Sequence, residues 1–223
     1  MSFPTFSEFF HALWHYSPFP WQEMLAVHAA EKGWPEVIRL PTASGKTAVI
    51  DVAVFLLARE AEIPVGQRKA PRRVWFVVDR RIVVDEAYER AERLKNRLME
   101  KDAAEPLKEV AARLREIAGF KDEQAPPLAL GRLRGGVLSD DGWARLPSQP
   151  AIITSTVDQL GSRLLFRSYG CSDSVAPIHA ALAANDSLII LAAPVRPSEG
   201  LGTGAAKSAF WILSDVGHTA DGR

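Results

Sequence analysis

Covalent and metal constraints are nearly absent from this sequence. Cys171 is the single cysteine in 223 residues, which excludes an internal disulfide and a cysteine-built metal site and fits a reducing cytoplasm. Long apolar runs are missing too. None approaches the roughly 18 residues that a membrane-spanning helix needs, and the first residues are acidic and aromatic where a targeting segment would be basic and then apolar. The chain is therefore expected to be soluble and cytoplasmic. An excess of charge of either sign is also missing: with 27 Lys and Arg against 27 Asp and Glu, no global field draws nucleic acid, and any such contact must be a local groove. There is no internal repeat and no low-complexity segment.

What is present is enough apolar material, 47% of residues, to bury one sizeable core. Short β-branched runs at 37–40, 74–78, 151–154 and 188–191 alternate with helical patterns at 7–14, 21–30, 46–61, 82–101, 105–118, 156–166 and 175–184. That alternation predicts parallel βαβ units and an α/β fold. Between residues 86 and 119 apolar positions recur at three-to-four spacing among many Lys, Arg and Glu, the pattern of two amphipathic helices with solvated outer faces.

The most informative stretch is Pro41-Thr42-Ala43-Ser44-Gly45-Lys46-Thr47. It follows the apolar run 37–40 and precedes a strongly apolar helical pattern, the strand–loop–helix context of a phosphate loop. Small residues let successive backbone N–H groups turn inward, and the helix start adds partial positive charge. In such a loop Lys46 reaches the β- and γ-phosphates of ATP, and the Thr47 hydroxyl holds the bridging Mg²⁺. Leu40 stands where the general pattern has its first glycine.

Four segments together carry a family resemblance: Phe19-Pro20-Trp21-Gln22, Leu40 to Thr47, Val77-Val78-Asp79-Arg80-Arg81-Ile82-Val83-Val84-Asp85, and Ile153-Thr154-Ser155-Thr156-Val157-Asp158-Gln159-Leu160. They resemble the CRISPR-associated helicase of type I systems, a superfamily 2 (DEAD/DEAH-type) helicase, and most of all its variant group with a reduced effector complex. The resemblance covers residues 10 to 190. It implies a P-loop NTPase of RecA-like, three-layer α/β/α architecture with a mainly parallel sheet: the first lobe over 1–191, with 86–119 as a helical insertion. ATP and Mg²⁺ are the implied cofactors. Single-stranded DNA and the CRISPR effector complex are the implied partners. Gln22 would read adenine, since an amide both donates and accepts along one base edge. Pro41, Thr42, Ala43, Ser44, Gly45, Lys46 and Thr47 would hold the phosphates. Arg80 or Arg81, the hydroxyls of Thr154, Ser155 and Thr156, and Gln159 would follow a DNA backbone without reading its bases.

The pattern breaks after Leu188-Ile189-Ile190-Leu191. Where the family has Asp-Glu-Ala-His, this chain has Ala192-Ala193-Pro194-Val195-Arg196. Those carboxylates normally hold Mg²⁺ and polarise the attacking water, so their loss is expected to disable hydrolysis and spare phosphate affinity. Codons for Ala-His-Leu-Ser, read one frame over as GCA-CCT-GTC-CGA, give Ala193 to Arg196, so residues 192–223 read as a divergent, frame-shifted tail, its Gly-, Ala- and Ser-rich part poorly packed. The resemblance also implies a second lobe, with its arginine finger, that the sequence does not contain. No His-Asp pair of a metal nuclease occurs among His11, His15, His28, His179 and His218. Two other readings stand beside the helicase lobe: a nucleotide-dependent binding module that never hydrolyses ATP, and a different P-loop ATPase in which Asp186 or Asp158 serves Mg²⁺.

Overall fold

Continuous apolar runs bounded by turns become strands covered on both faces. The computed structural model describes residues 3–41, 44–135, 141–167, 174–194 and 207–215. Six strands form one sheet: β1 (Val37–Pro41), β2 (Arg73–Val78), β3 (Ala129–Leu133), β4 (Ala151–Thr156), β5 (Ser187–Pro194) and β6 (Lys207–Asp215), in the order β1-β6-β5-β2-β4-β3. The four strands β5, β2, β4 and β3 are mutually parallel. β6 runs antiparallel to both of its neighbours, β5 and β1.

Among the described residues seven α-helices flank the sheet: α1 (Phe6–Trp14), α2 (Pro20–Lys32), α3 (Val49–Arg59), α4 (Arg81–Leu98), α5 (Glu105–Ala118), α6 (Val157–Leu164) and α7 (Ala176–Ala184). Strand β2 shows how the layers arise. Its alternate residues Val74, Phe76 and Val78 enter one core cluster with α1 to α5, while Trp75 and Val77 enter a second with α6 and α7. Helices on both faces of a mainly parallel sheet make three layers. In α4 the buried residues are Val84, Ala87, Ala91, Leu94 and Leu98, the three-to-four spacing of one helical face.

A buried ion pair ties three helices of the larger core together. Asp51, on α3, is 0% exposed; it accepts from Trp14 Nε1 of α1 at 3.0 Å and pairs with Arg90 of α4. The Arg90 guanidinium also lies 4.2 Å above the Trp14 ring. Burial pushes the Asp51 carboxyl up from its ordinary range, with Arg90 and Trp14 opposing. For Arg90 burial acts downward, but the charge and hydrogen bond of Asp51 prevail and raise it.

Two strands lie where the apolar-run pattern predicts none. Strand β3 has no β-branched residue, and its Gly131 makes room for Trp143, whose Cδ1 would lie 2.7 Å from an added Cβ. Strand β6 joins the sheet between β5, the strand that precedes it, and β1, far away in sequence. Helix α4, Arg81–Leu98, begins shortly after β2 and within one residue of the start of the helical pattern expected at 82–101. Thr42 and Ala43 of the expected phosphate loop, Cys171, His218, and residues 195–206 and 216–223 of the tail lie outside the described residues.

Candidate phosphate-loop and strand-contact site

β1 is antiparallel to β6 and β6 antiparallel to β5, so β1 points the same way as the parallel strands. The loop after β1, Arg80 and Arg81 after β2, and Thr156 at the end of β4 therefore all lie at the carboxyl edge of the sheet. That edge is where open α/β sheets place their ligands. By strand order, β1 stands three spacings from β2 and four from β4, about 14 and 19 Å.

The expected strand–loop–helix is present, with one difference at its start. Lys46–Ala48 form a 3₁₀ turn, and the α-helix proper begins at Val49. Ser44 Oγ donates to the Pro41 carbonyl at 2.8 Å, closing the loop. Gly45 has φ +67°, the left-handed region that only glycine enters cheaply. Helix α2 holds this turn from behind: Trp21 Nε1 donates to the Ser44 carbonyl at 2.8 Å, and Gln22 Nε2 to the Gly45 carbonyl at 3.2 Å. In a planar trans peptide the carbonyl and the following N–H point opposite ways. Fixing those two carbonyls toward α2 therefore turns the Gly45 and Lys46 amides away from it. Amides at a helix start have no partner within the helix. The result is a pair of backbone donors at Gly45 and Lys46, and partial burial lowers the pKa of the Lys46 ammonium. The donor set suits a phosphate, and the half-buried Thr47 next to it carries a hydroxyl suited to Mg²⁺.

Gln22 comes to the loop, as its sequence position suggested, but its amide is used by the chain. It is 2% exposed, its Oε1 accepts from the Phe19 amide at 2.9 Å, and its Nε2 holds Gly45. In this arrangement it positions the loop and turns no amide edge outward to a base. Trp21 acts likewise through its indole N–H. Phe19 is 51% exposed, with its ring beside Gly45.

The strand-contact residues divide. Arg80 and Arg81 are exposed, and the Arg81 guanidinium lies over Gly135 beyond β3, 2.9 Å from where a Cβ would stand. Thr154 and Ser155 are 0% exposed, inside the interior strand β4. Their hydroxyls donate to the carbonyls of Gly131 at 3.4 Å and Thr156 at 2.9 Å. Of the three hydroxyls, Thr156 alone stands at the strand end, as N-cap of α6. Gln159 accepts from Arg163 through its side chain and its carbonyl. Sequence reasoning missed two more cations at this edge. Arg134 pairs with Asp85 at 2.7 Å, and Arg132 lies 3.6 Å from Asp85 with its guanidinium 4.8 Å from the Tyr88 ring centre. Their alternation, Arg132-Leu133-Arg134, was a readable signal once β3 was known to end there.

Ala192, Ala193 and Pro194 close β5, so this strand end carries no carboxylate. Asp186 lies at the opposite edge, where it binds Arg68 at 3.1 Å and the Arg72 amide at 2.9 Å. A magnesium-binding role for Asp186 at the loop is excluded by that placement. Asp158 sits on the correct edge, exposed at the start of α6. Two concavities, one of 550 Å³ between the ends of α4 and α5 and one of 580 Å³ between α1, α2 and α3, are lined by residues away from the loop. Among the described residues no group of His, Cys, Asp and Glu could hold a metal by itself, and no helix is long and apolar enough to cross a membrane. Compared with protein-family models, curated proteins and solved structures, the chain finds no match.

Proposed function

We propose that this chain is the ATP-binding, RecA-like first lobe of a CRISPR-associated helicase or translocase, able to hold ATP and Mg²⁺ but not to hydrolyse ATP by itself. One observation carries the reading. The loop 41–47 has a left-handed Gly45, two carbonyls held from behind by Trp21 and Gln22, and Lys46 and Thr47 at the start of α3. The Gly45 and Lys46 amides and the Lys46 ammonium bind the phosphates, and the Thr47 hydroxyl contributes to the metal. With the Thr47 hydroxyl among its ligands, Mg²⁺ would supply charge neutralisation on the phosphates. Arg80, Arg81 and the amides at the start of α6 take the phosphates of a DNA single strand along the same sheet edge. The alanines that end β5 leave the attacking water without a carboxylate, which accounts for binding without turnover.

The test is ATP binding and hydrolysis by the purified chain, with single-stranded DNA present and Lys46→Ala as control. Binding that the control loses, without turnover, is expected. DNA-stimulated turnover abolished by the same change overturns the acidic-box argument. ATP binding indifferent to Lys46 overturns the reading itself.

A further inference from the structure

The turn between α4 and α5 and the loop after α5 enclose a cleft of 550 Å³, within the size range of small-molecule sites. Helix α4 carries the chain about 25 Å from Arg81 to this end, so the cleft is separate from the strand-contact residues. Its floor is one face of α5, where Lys108, Ala111, Ala112 and Arg115 stand at three-, four- and seven-residue spacing. The two alanines leave depth in the middle of that face, and Met99 and Phe120 border it with apolar side chains. Lys108 and Arg115 lie at its two ends, about 10 Å apart along the helix axis.

The chain's own bonds shape the far wall. Gly119 takes φ +77°, and the Phe120 amide donates to the Arg115 carbonyl at 2.9 Å, the reversal that ends α5. Asp122 Oδ1 accepts from the Gln124 amide at 2.8 Å, and Arg115 Nε donates to the Ala125 carbonyl at 2.7 Å. That last bond holds the guanidinium in place while the side chain still lines the cleft, and a held guanidinium loses less freedom when it meets an acid group. The charge is in surplus. Lys101, Lys108, Arg115 and Lys121 line the cleft against Glu100, Asp122 and Glu123. Arg97, outside it, pairs with Glu100 at 3.0 Å, which leaves four positive groups against two. We propose that this cleft binds a small organic anion, with its acid group on the Arg115 guanidinium and its apolar body over Ala111 and Ala112. A neutral apolar molecule gives the guanidinium no partner, and a bare inorganic anion leaves the apolar floor uncovered. The site is independent of the nucleotide function proposed above.

The test uses the full chain and anilinonaphthalene sulfonate, which joins an aromatic body to one acid group; phenylnaphthylamine has the same body without the acid. Fluorescence titration is expected to show saturable binding of the sulfonate, and Ala112→Trp, which fills the floor from an exposed position, abolishes it. Arg115→Gln removes a charged hydrogen bond and weakens the sulfonate about tenfold, while the neutral compound binds both proteins alike. Glu123→Gln removes a carboxylate that acts on Arg115 and tightens the sulfonate. Absence of saturable binding overturns the proposal, as does binding that survives Ala112→Trp or ignores both charge changes. The neutral compound binding as tightly as the sulfonate overturns it too. Should Arg115→Gln lower the thermal midpoint by freeing the loop, the exposed pair Lys108→Gln with Lys121→Gln takes its place. An affinity unchanged by that pair is then the overturning result.

Discussion

Replacing Gly45 by alanine tests the loop geometry without reference to any ligand. Two costs add at that position. A non-glycine residue at φ +67° pays about 1–2 kcal/mol for the left-handed backbone. The new Cβ would also lie 3.1 Å from Phe19 Cε2 and 3.2 Å from Gln22 Nε2. Phe19, half exposed, can swing aside; Gln22, 2% exposed and bonded at both ends of its amide, cannot do so freely. A crowded contact of this kind adds about 1 kcal/mol, so Gly45→Ala should lose about 2–3 kcal/mol. Urea unfolding followed by tryptophan fluorescence reads this as a lower midpoint at unchanged slope. The double variant Phe19→Ala with Gly45→Ala should recover little, because the backbone and Gln22 costs remain. A loss below about 0.5 kcal/mol, the range of an ordinary surface substitution, or full recovery on removing Phe19, refutes the reasoning.

Asp51→Ala leaves Arg90 without its buried partner and should cost about 3–5 kcal/mol, a fall in Tm of roughly 6–20 °C for a chain of this size; a calorimetric change under about 1 kcal/mol counts against a structural role for the pair. Trp21→Phe keeps the ring but removes the donor to the Ser44 carbonyl; a lost hydrogen bond of about 0.5–1.5 kcal/mol should weaken ATP affinity by roughly two- to tenfold in titration calorimetry, and unchanged affinity argues that the indole does not orient the loop. His179, 0% exposed, has its pKa lowered by burial, with Asp141 at 3.7 Å opposing and Arg163 adding to the decrease. The unfolded chain then binds more protons than the folded one just below its own pKa of about 6.5. Stability is therefore fully present above that pH and declines as pH falls through it toward the lower folded value. Urea midpoints measured across that window should show the decline, and His179→Gln should flatten it.

Much of the fold was legible because its signals are local. The runs at 74–78 and 188–191 are apolar on both faces, as strands buried between two helical layers must be, and the recurrence of Ala87, Ala91, Leu94 and Leu98 marks one side of α4. Strand β3 was not legible, since Ala129-Leu130-Gly131-Arg132-Leu133 has weak strand propensity and owes its place to pairing with β4. Strand β6 has an apolar run of its own at 209–213, but its slot between β1 and β5 is a property of the assembled sheet.

The candidate site divides in the same way. Small residues and glycine before Lys46 and Thr47 mark the tight turn between β1 and α3 by composition and order, because the backbone conformation it needs is local. That Ala192, Ala193 and Pro194, and no carboxylate, follow Leu191 is likewise read from the sequence alone. What Gln22 does was decided by tertiary structure: the packing of α2 behind the loop directs its amide to Gly45, and no spacing along the chain reports that direction. The same holds for Thr154 and Ser155, whose hydroxyls turn inward because β4 is an interior strand, and for Arg81, Arg132 and Arg134, which share one sheet edge because α4 begins and β3 ends there. Local chemistry is written residue by residue, whereas exposure and direction depend on what packs against each residue, and that is settled only when distant segments meet.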